Sequence, residues 1–240
     1  QLLIFIIAFT LISESIGAIL IYYFIYPFYS IQDGLFHAIF HSISSFCSAG
    51  LSPFSNSLVS FKENIFMLTI TGLLILGGTL GFITWYELFK YLKMKVQKKR
   101  MSFSLTTKVV ISFTLILTIG VTLLLIILEG PAHFTDAPWW ITASNMLFNA
   151  ISYRSAGYST IDPNQMQSAT LFLIIMYSLI GASPGSTGSG IKVTTFALFI
   201  ATIKSVISEK SVVELKGRKI PKEQIFKAAS ILSLSVCWII

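Results

Sequence analysis

Charge is what this sequence has least of. Asp, Glu, Lys and Arg make up 11% of its 240 residues, against roughly 25% in a soluble domain. Only 10 residues are acidic. A chain this poor in charge is not a disordered segment, a nucleic-acid-binding domain or an ordinary cytosolic enzyme. Cysteine is equally scarce. Cys47 and Cys237 both lie in apolar stretches and are too few for a disulfide framework. What is abundant is apolar: 54% hydrophobic residues, 20 of them Phe, with a mean hydropathy of +0.79. These features describe an all-α polytopic membrane protein with lipid around it.

The apolar runs fall into an order. Residues 2–26 are apolar apart from Glu14 and a few hydroxyls, and a helix of that length crosses a bilayer. Residues 33–46 then read as a helix too short to cross, followed by the polar small-residue loop CSAGLSPFSNS. Residues 65–89 are expected to be a second continuous span. The order then recurs. Residues 105–128 form a span, 131–138 a connector, 139–152 a second short helix, and YRSAGYSTIDPN a second polar loop. Residues 169–206 are apolar again, and a further helix starts at Glu223. No positive stretch precedes the first run, so no cleavable leader is expected.

The recurrence holds residue by residue. A shift of 107 positions lays Phe46-Cys47-Ser48-Ala49-Gly50-Leu51-Ser52 on Tyr153-Arg154-Ser155-Ala156-Gly157-Tyr158-Ser159. Four of those seven are identical, which marks an internal repeat. The expected organisation is a span–short helix–loop–span unit at 1–95, a basic linker at 96–103, a second unit at 104–207, a second basic linker at 208–222, and a helix of a further, incomplete repeat at 223–240. Of 17 Lys and Arg, 14 lie in two clusters around these linkers, among them Arg100 and Lys210. Basic loops stay on the cytoplasmic side, so both linkers are expected there. Asp33, Glu63, Glu129, Asp136 and Asp162 then fall on the outer side, where they are placed to attract cations.

A loop that exposes backbone at membrane depth is tolerated only inside protein or along a watery cavity. Glycine takes positive φ without strain, so Gly50 and Gly157 let carbonyls turn toward an axis and replace an ion's hydration shell. The short helices end just before these loops, and their C-terminal dipoles favour a cation. The run Gly181, Ala182, Ser183, Pro184, Gly185, Ser186, Thr187, Gly188, Ser189 and Gly190 cannot continue a helix, so the fourth apolar stretch must be two half-helices around an intramembrane loop. Such breaks mark ion pathways, and a loop beneath a filter suits a gate. It is not a phosphate-binding loop, because Ile191 separates the glycine from Lys192 and no strand precedes it. His37 and His41 share a helix face and are read as packing or hydrogen-bonding residues rather than metal ligands. Gly77 and Gly81 read as a close helix-packing motif. Glu14, an ionisable group in mid-span, is expected to find a partner on a neighbouring helix, the competing reading being a place on the ion path. A cation at Arg154 would repel ions, so its side chain is expected to point away from the axis.

These features resemble the Trk/Ktr/HKT potassium transporter family, most closely its Ktr-type membrane subunits. The resemblance rests on FHSISSFCSAGLSPFS, ILGGTLGF, AISYRSAGYSTID and GASPGSTGSGIKVTTF. It implies a channel-like pore built from four span–pore helix–span repeats, of which this chain holds the second, the third and the start of the fourth. It implies a potassium filter contributed by Cys47, Ser48, Ala49 and Gly50 and by Arg154, Ser155, Ala156 and Gly157. It implies a gate at residues 181–190, potassium as the transported ion, and no covalently bound cofactor. Sodium stays open as an alternative ion. A homodimer in the cell membrane, seated on a cytosolic ring of nucleotide-binding regulatory proteins, is also implied. Cys47 departs from the Asn of many relatives. The reading that competes with a conducting subunit is a non-conducting membrane partner that packs against an intact transporter. An enzyme reading finds neither a nucleophile–base pair nor a metal cluster.

Overall fold

The computed structural model describes residues 2–99, 101–135, 137–209 and 212–239. Arg100, Asp136 and Lys210, which the charge argument placed, lie outside the described residues. The chain is mostly helical. Among the described residues, helix α1 (Leu2–Ile25) and helix α5 (Leu105–His133) are the two single helices long and apolar enough to cross a membrane. Their outer faces carry open apolar side chains, among them Ile4, Ile19, Ile116 and Ile127, each at least 64% exposed. In water such surfaces would be costly, and in a bilayer they meet lipid.

Each of these helices is followed by a short one. Helix α2 (Ile31–Phe46) begins at Ser30, whose hydroxyl accepts from Asp33 N and donates to Asp33 Oδ2. Helix α6 (Trp139–Ser152) starts behind Pro138. Helix α2 packs along α1, and α6 packs along α5 and α3. The first core joins Ile21, Phe46, Met67, Ile75, Phe148 and Tyr158, and so ties the two units together. A second core sits in the second unit around Leu125, Met146, Tyr153 and Tyr177.

The second span of the first unit is not continuous. It divides into α3 (Ile65–Thr79) and α4 (Phe82–Val96), whose axes turn by 100°. Gly81 causes the break: it has φ +85, left-handed backbone that ends a helix. Gly77 still packs as expected, with Phe46 close against it, but Gly81 stands outside the helix, so the pair is not a helix-packing motif. The last span of the second unit also divides, into α7 (Ser168–Ser178) and α8 (Val193–Ile207), as the glycine run required. The shift of 107 lays Leu80 and Gly81 on Thr187 and Gly188. Both units therefore break their last span at a corresponding level.

Two smaller differences concern connections. Helix α5 runs through Pro131 to His133, where a loop was expected, and Phe134 N still reaches Gly130 O at 3.1 Å. Pro131 has no N–H to give Ile127 O, so the helix forgoes that one bond in its last turn and still runs on to His133. The second linker holds a two-residue hairpin, β1 (Glu214–Leu215) with β2 (Arg218–Lys219), ahead of α9 (Lys222–Ile239).

Glu129 is fully buried near the end of α5 and is not an open lure for cations. Its Oε1 accepts from Gln167 N at 3.0 Å, and its Oε2 lies 3.0 Å from His133 Nε2. Gln167 Nε2 donates to Leu128 O at 2.7 Å. The carboxylate thus fastens the start of α7 to α5. Glu129→Ala should lower stability by about 2–3 kcal/mol by removing the charged acceptor of the Gln167 amide and the carboxylate beside His133. Thermal unfolding of the detergent-purified protein measures it, and an unchanged midpoint contradicts the role.

Candidate functional site: two loops above a broken helix

Both short helices unwind into S-A-G loops by the same backbone device. Ala49 N donates to Ser44 O at 2.9 Å, and in the second unit Ala156 N and Gly157 N donate to Ser152 O at 2.8 and 2.9 Å. Carbonyls that would otherwise end a helix unpaired are met by the loop that follows. Gly50 and Gly157 have φ +72 and +89, and Ser48 has φ +53. A serine held there is strained, a condition typical of functional sites. Gly50 has a second constraint: a Cβ on it would land on Ala156 O. The two loops therefore come together at backbone distance. Gly157 faces open space.

Tyr158 locks the loops from behind. It is fully buried, and its hydroxyl donates to Ser44 Oγ at 2.7 Å and to Leu51 O at 3.1 Å. Leu58 N donates to Ser159 O, and Ser159 N to Ser57 Oγ. Asn149 Oδ1 accepts from both the amide and the hydroxyl of Thr160. Sequence reasoning passed over Tyr158 and Asn149. The signal was available for Tyr158, a large polar aromatic standing where the first loop has Leu51.

The remaining singled-out residues take these places. His41 is buried, its Nε2 3.3 Å from Thr71 Oγ1, with its ring against Tyr158 and Phe54. His37 lies between Tyr29 and Phe54. Among the described residues no three His, Cys, Asp or Glu gather as a metal site. Glu14 meets the first loop: its Oε1 lies 3.9 Å from Cys47 Sγ, and its carbonyl accepts from Ser42 Oγ. Arg154 is buried.

The long break, residues 179–192, lies against both loops and against the Leu80–Gly81 bend. It pairs with itself, Gly181 N to Ile191 O at 2.9 Å and Ala182 N to Ser189 O at 3.0 Å. It pairs with the bend through Ser183 N to Thr79 O, Thr187 N to Gly78 O and Phe82 N to Gly185 O, at 2.9–3.2 Å. Thr187 Oγ1 donates to Phe46 O at 2.9 Å, just before the first loop. Gly188 lies so near Ser155 of the second loop that a Cβ there would approach Ser155 Oγ to 2.5 Å. Among the described residues the buried hydroxyls of Ser48, Ser152, Ser155 and Ser183 are among the polar groups with no hydrogen-bond partner, as is Arg154 Nη2. Ser48 and Ser155 occupy matching repeat positions. Buried orphan oxygens need an explanation, and oxygen donors at loop glycines suit a hard monovalent cation.

The cation transport protein family TrkH matches the whole chain, residues 1–240. The chain belongs to the TrkH family. Its members include transporters and no enzyme role is implied by it. The Ktr system potassium uptake protein B of Vibrio alginolyticus is 34% identical over 238 residues, covering 96% of this chain and 50% of the relative. The potassium/sodium uptake protein NtpJ of Enterococcus hirae is 30% identical over 240 residues, covering 99% and 52%. The crystal structure of the potassium transporter TrkH from Vibrio parahaemolyticus shares the fold, with a TM-score of 0.70 at 19% identity, over 93% of this chain and 46% of that one. The chain thus spans about half the length of the relatives it matches. As a TrkH-family chain it is a multi-pass membrane protein with the pore-loop repeat fold.

The two loop glycines should not respond alike to substitution. Gly157→Ala meets only the positive-φ strain, about 1–2 kcal/mol. Gly50→Ala meets that strain and the Ala156 carbonyl as well. In the native-length protein Gly50→Ala should lose more thermal stability than Gly157→Ala. Equal effects would contradict the backbone contact between the loops.

Proposed function

We propose that this chain is part of a potassium-conducting membrane subunit. Cys47, Ser48, Ala49 and Gly50 with Arg154, Ser155, Ala156 and Gly157 contribute half of its selectivity filter, and residues 181–190 form its gate. The observation that carries this reading is the meeting of the two S-A-G loops directly against the long intramembrane break. Selectivity requires oxygen ligands on every side of an ion. Two loops supply half of them, and the rest come from the portion of the protein that this chain does not span. The repeat boundaries are 1–95 and 104–207, with 223–240 opening a further repeat.

Potassium enters the loops from the outer side, sheds water as oxygens replace it, and passes inward when the break moves aside. Its flexibility comes from four glycines between Gly181 and Gly190. The basic linkers lie in the cytoplasm under the charge rule and face a cytosolic nucleotide-binding ring. The subunit is a homodimer of the cell membrane. The names of the relatives support potassium as the cargo, and NtpJ leaves room for sodium beside it. No observation favours the non-conducting partner, since both loops and the break keep the parts that conduction needs.

The native-length gene should restore growth at low potassium in a host lacking its own uptake systems, and a variant shortened by Gly185 and Ser186 should show higher flux in liposomes. Failure to restore growth despite expression in the membrane would overturn the transport reading. A shortened loop with unchanged flux would overturn the gate.

A further inference from the structure

The last four carbonyls of a helix must find partners outside it, and those of α2 can be accounted for one by one. Ile43 O accepts from Cys47 N, Ser44 O from Ala49 N, and Ser45 O from Ser48 N. All three donors belong to the loop that follows. Phe46 O is different. Among the described hydrogen bonds it accepts only from Thr187 Oγ1, 141 residues away in the other unit. This carbonyl belongs to the peptide that enters Cys47, so its direction sets how the first loop leaves the helix.

Thr187 is held for this task. Its amide donates to Gly78 O at 3.2 Å, so the same residue is fastened by its backbone to α3 and by its side chain to α2. Gly78 makes room for the junction. A Cβ there would land on both Phe46 O and Thr187 Oγ1. A neighbouring glycine does the same for the second loop, because Gly188 lies against Ser155 Oγ. One dipeptide of the break therefore touches both S-A-G loops.

We propose that Thr187 is a positioning residue for selectivity, coupling the gate to the filter. The coupling rests on the filter and gate reading above. With the break in place, the threonine hydroxyl holds the Phe46 carbonyl and hence the start of the first loop. When the break moves aside, that carbonyl loses its donor at membrane depth, where water does not freely replace it. Movement of the gate therefore changes the filter's geometry. Reciprocally, an ion that holds the filter in its ordered form favours the seated break, because coupling between two sites acts equally in both directions.

The test uses the native-length protein in liposomes, with potassium and sodium fluxes measured separately. Thr187→Val keeps the shape and removes the donor. Thr187→Ser keeps the donor and removes the methyl. The variant shortened by Gly185 and Ser186 reports on the gate by itself. Thr187→Val should raise potassium flux and lower potassium-over-sodium discrimination together, each by roughly fivefold, the factor one net hydrogen bond is worth. Thr187→Ser should restore both toward the parent. A merely structural role would lower flux and leave discrimination alone, and that outcome overturns the proposal. If Thr187→Val does not fold, Thr187→Ala carries the same test with the same expectation. High flux from the shortened loop beside parental values for Thr187→Val overturns the coupling and leaves the gate standing. Parental flux from the shortened loop overturns the gate, and the coupling with it.

Discussion

Backbone amides and carbonyls inside a bilayer have no water to bond, and each one left alone costs several kcal/mol. This protein breaks two of its apolar helices at membrane depth and still meets that constraint. Each break supplies what the other lacks. Thr79 O and Gly78 O accept from Ser183 N and Thr187 N, and Gly185 O accepts from Phe82 N. Neither the 100° bend nor the long break has its full set of partners without the other. The two units are joined as much by this exchange as by the core around Phe46 and Tyr158.

The arrangement has consequences above it. Because the break is fastened to the bend, its middle is held beneath Phe46 on one side and Ser155 on the other. The loops are drawn together until Gly50 meets the Ala156 carbonyl. Tyr158 fills the space behind them, and its hydroxyl ties the second loop to the helix of the first. A site of strained backbone and orphan hydroxyls is thus backed by the hydrogen bonds of Tyr158, Ser159 and Asn149. That combination is expected where a flexible part must work against a rigid frame.

Much of this was legible in the sequence. The repeat located both S-A-G loops, because glycine and small polar residues cannot be hidden in an apolar run. The boundaries of α6 were set by Pro138 and the polar loop after Ser152, and the structure places them there. The long break followed from four glycines and a proline. The bend at Leu80–Gly81 did not, because one glycine in an apolar stretch is compatible with a continuous helix and only the approach of Pro184 O shows why the helix must stop. Glu14 was expected to need a neighbour, but its meeting with Cys47 depends on how α1 crosses α2, which no local pattern encodes. The pairing of Thr187 with Phe46 spans 141 positions and belongs to the same class. Local chemistry is written in residue types, and contacts between units are written only in the packing.

The central claim is that the two S-A-G loops line the path of the ion. The most direct measurement is the location of rubidium, a potassium mimic with a distinct anomalous signal, in crystals of the native-length protein. Anomalous density beside the carbonyls of Ala49, Gly50, Ala156 and Gly157, above the Gly181–Gly190 break, is the result the account predicts. Bound rubidium elsewhere in the protein, with none at these loops, would contradict it.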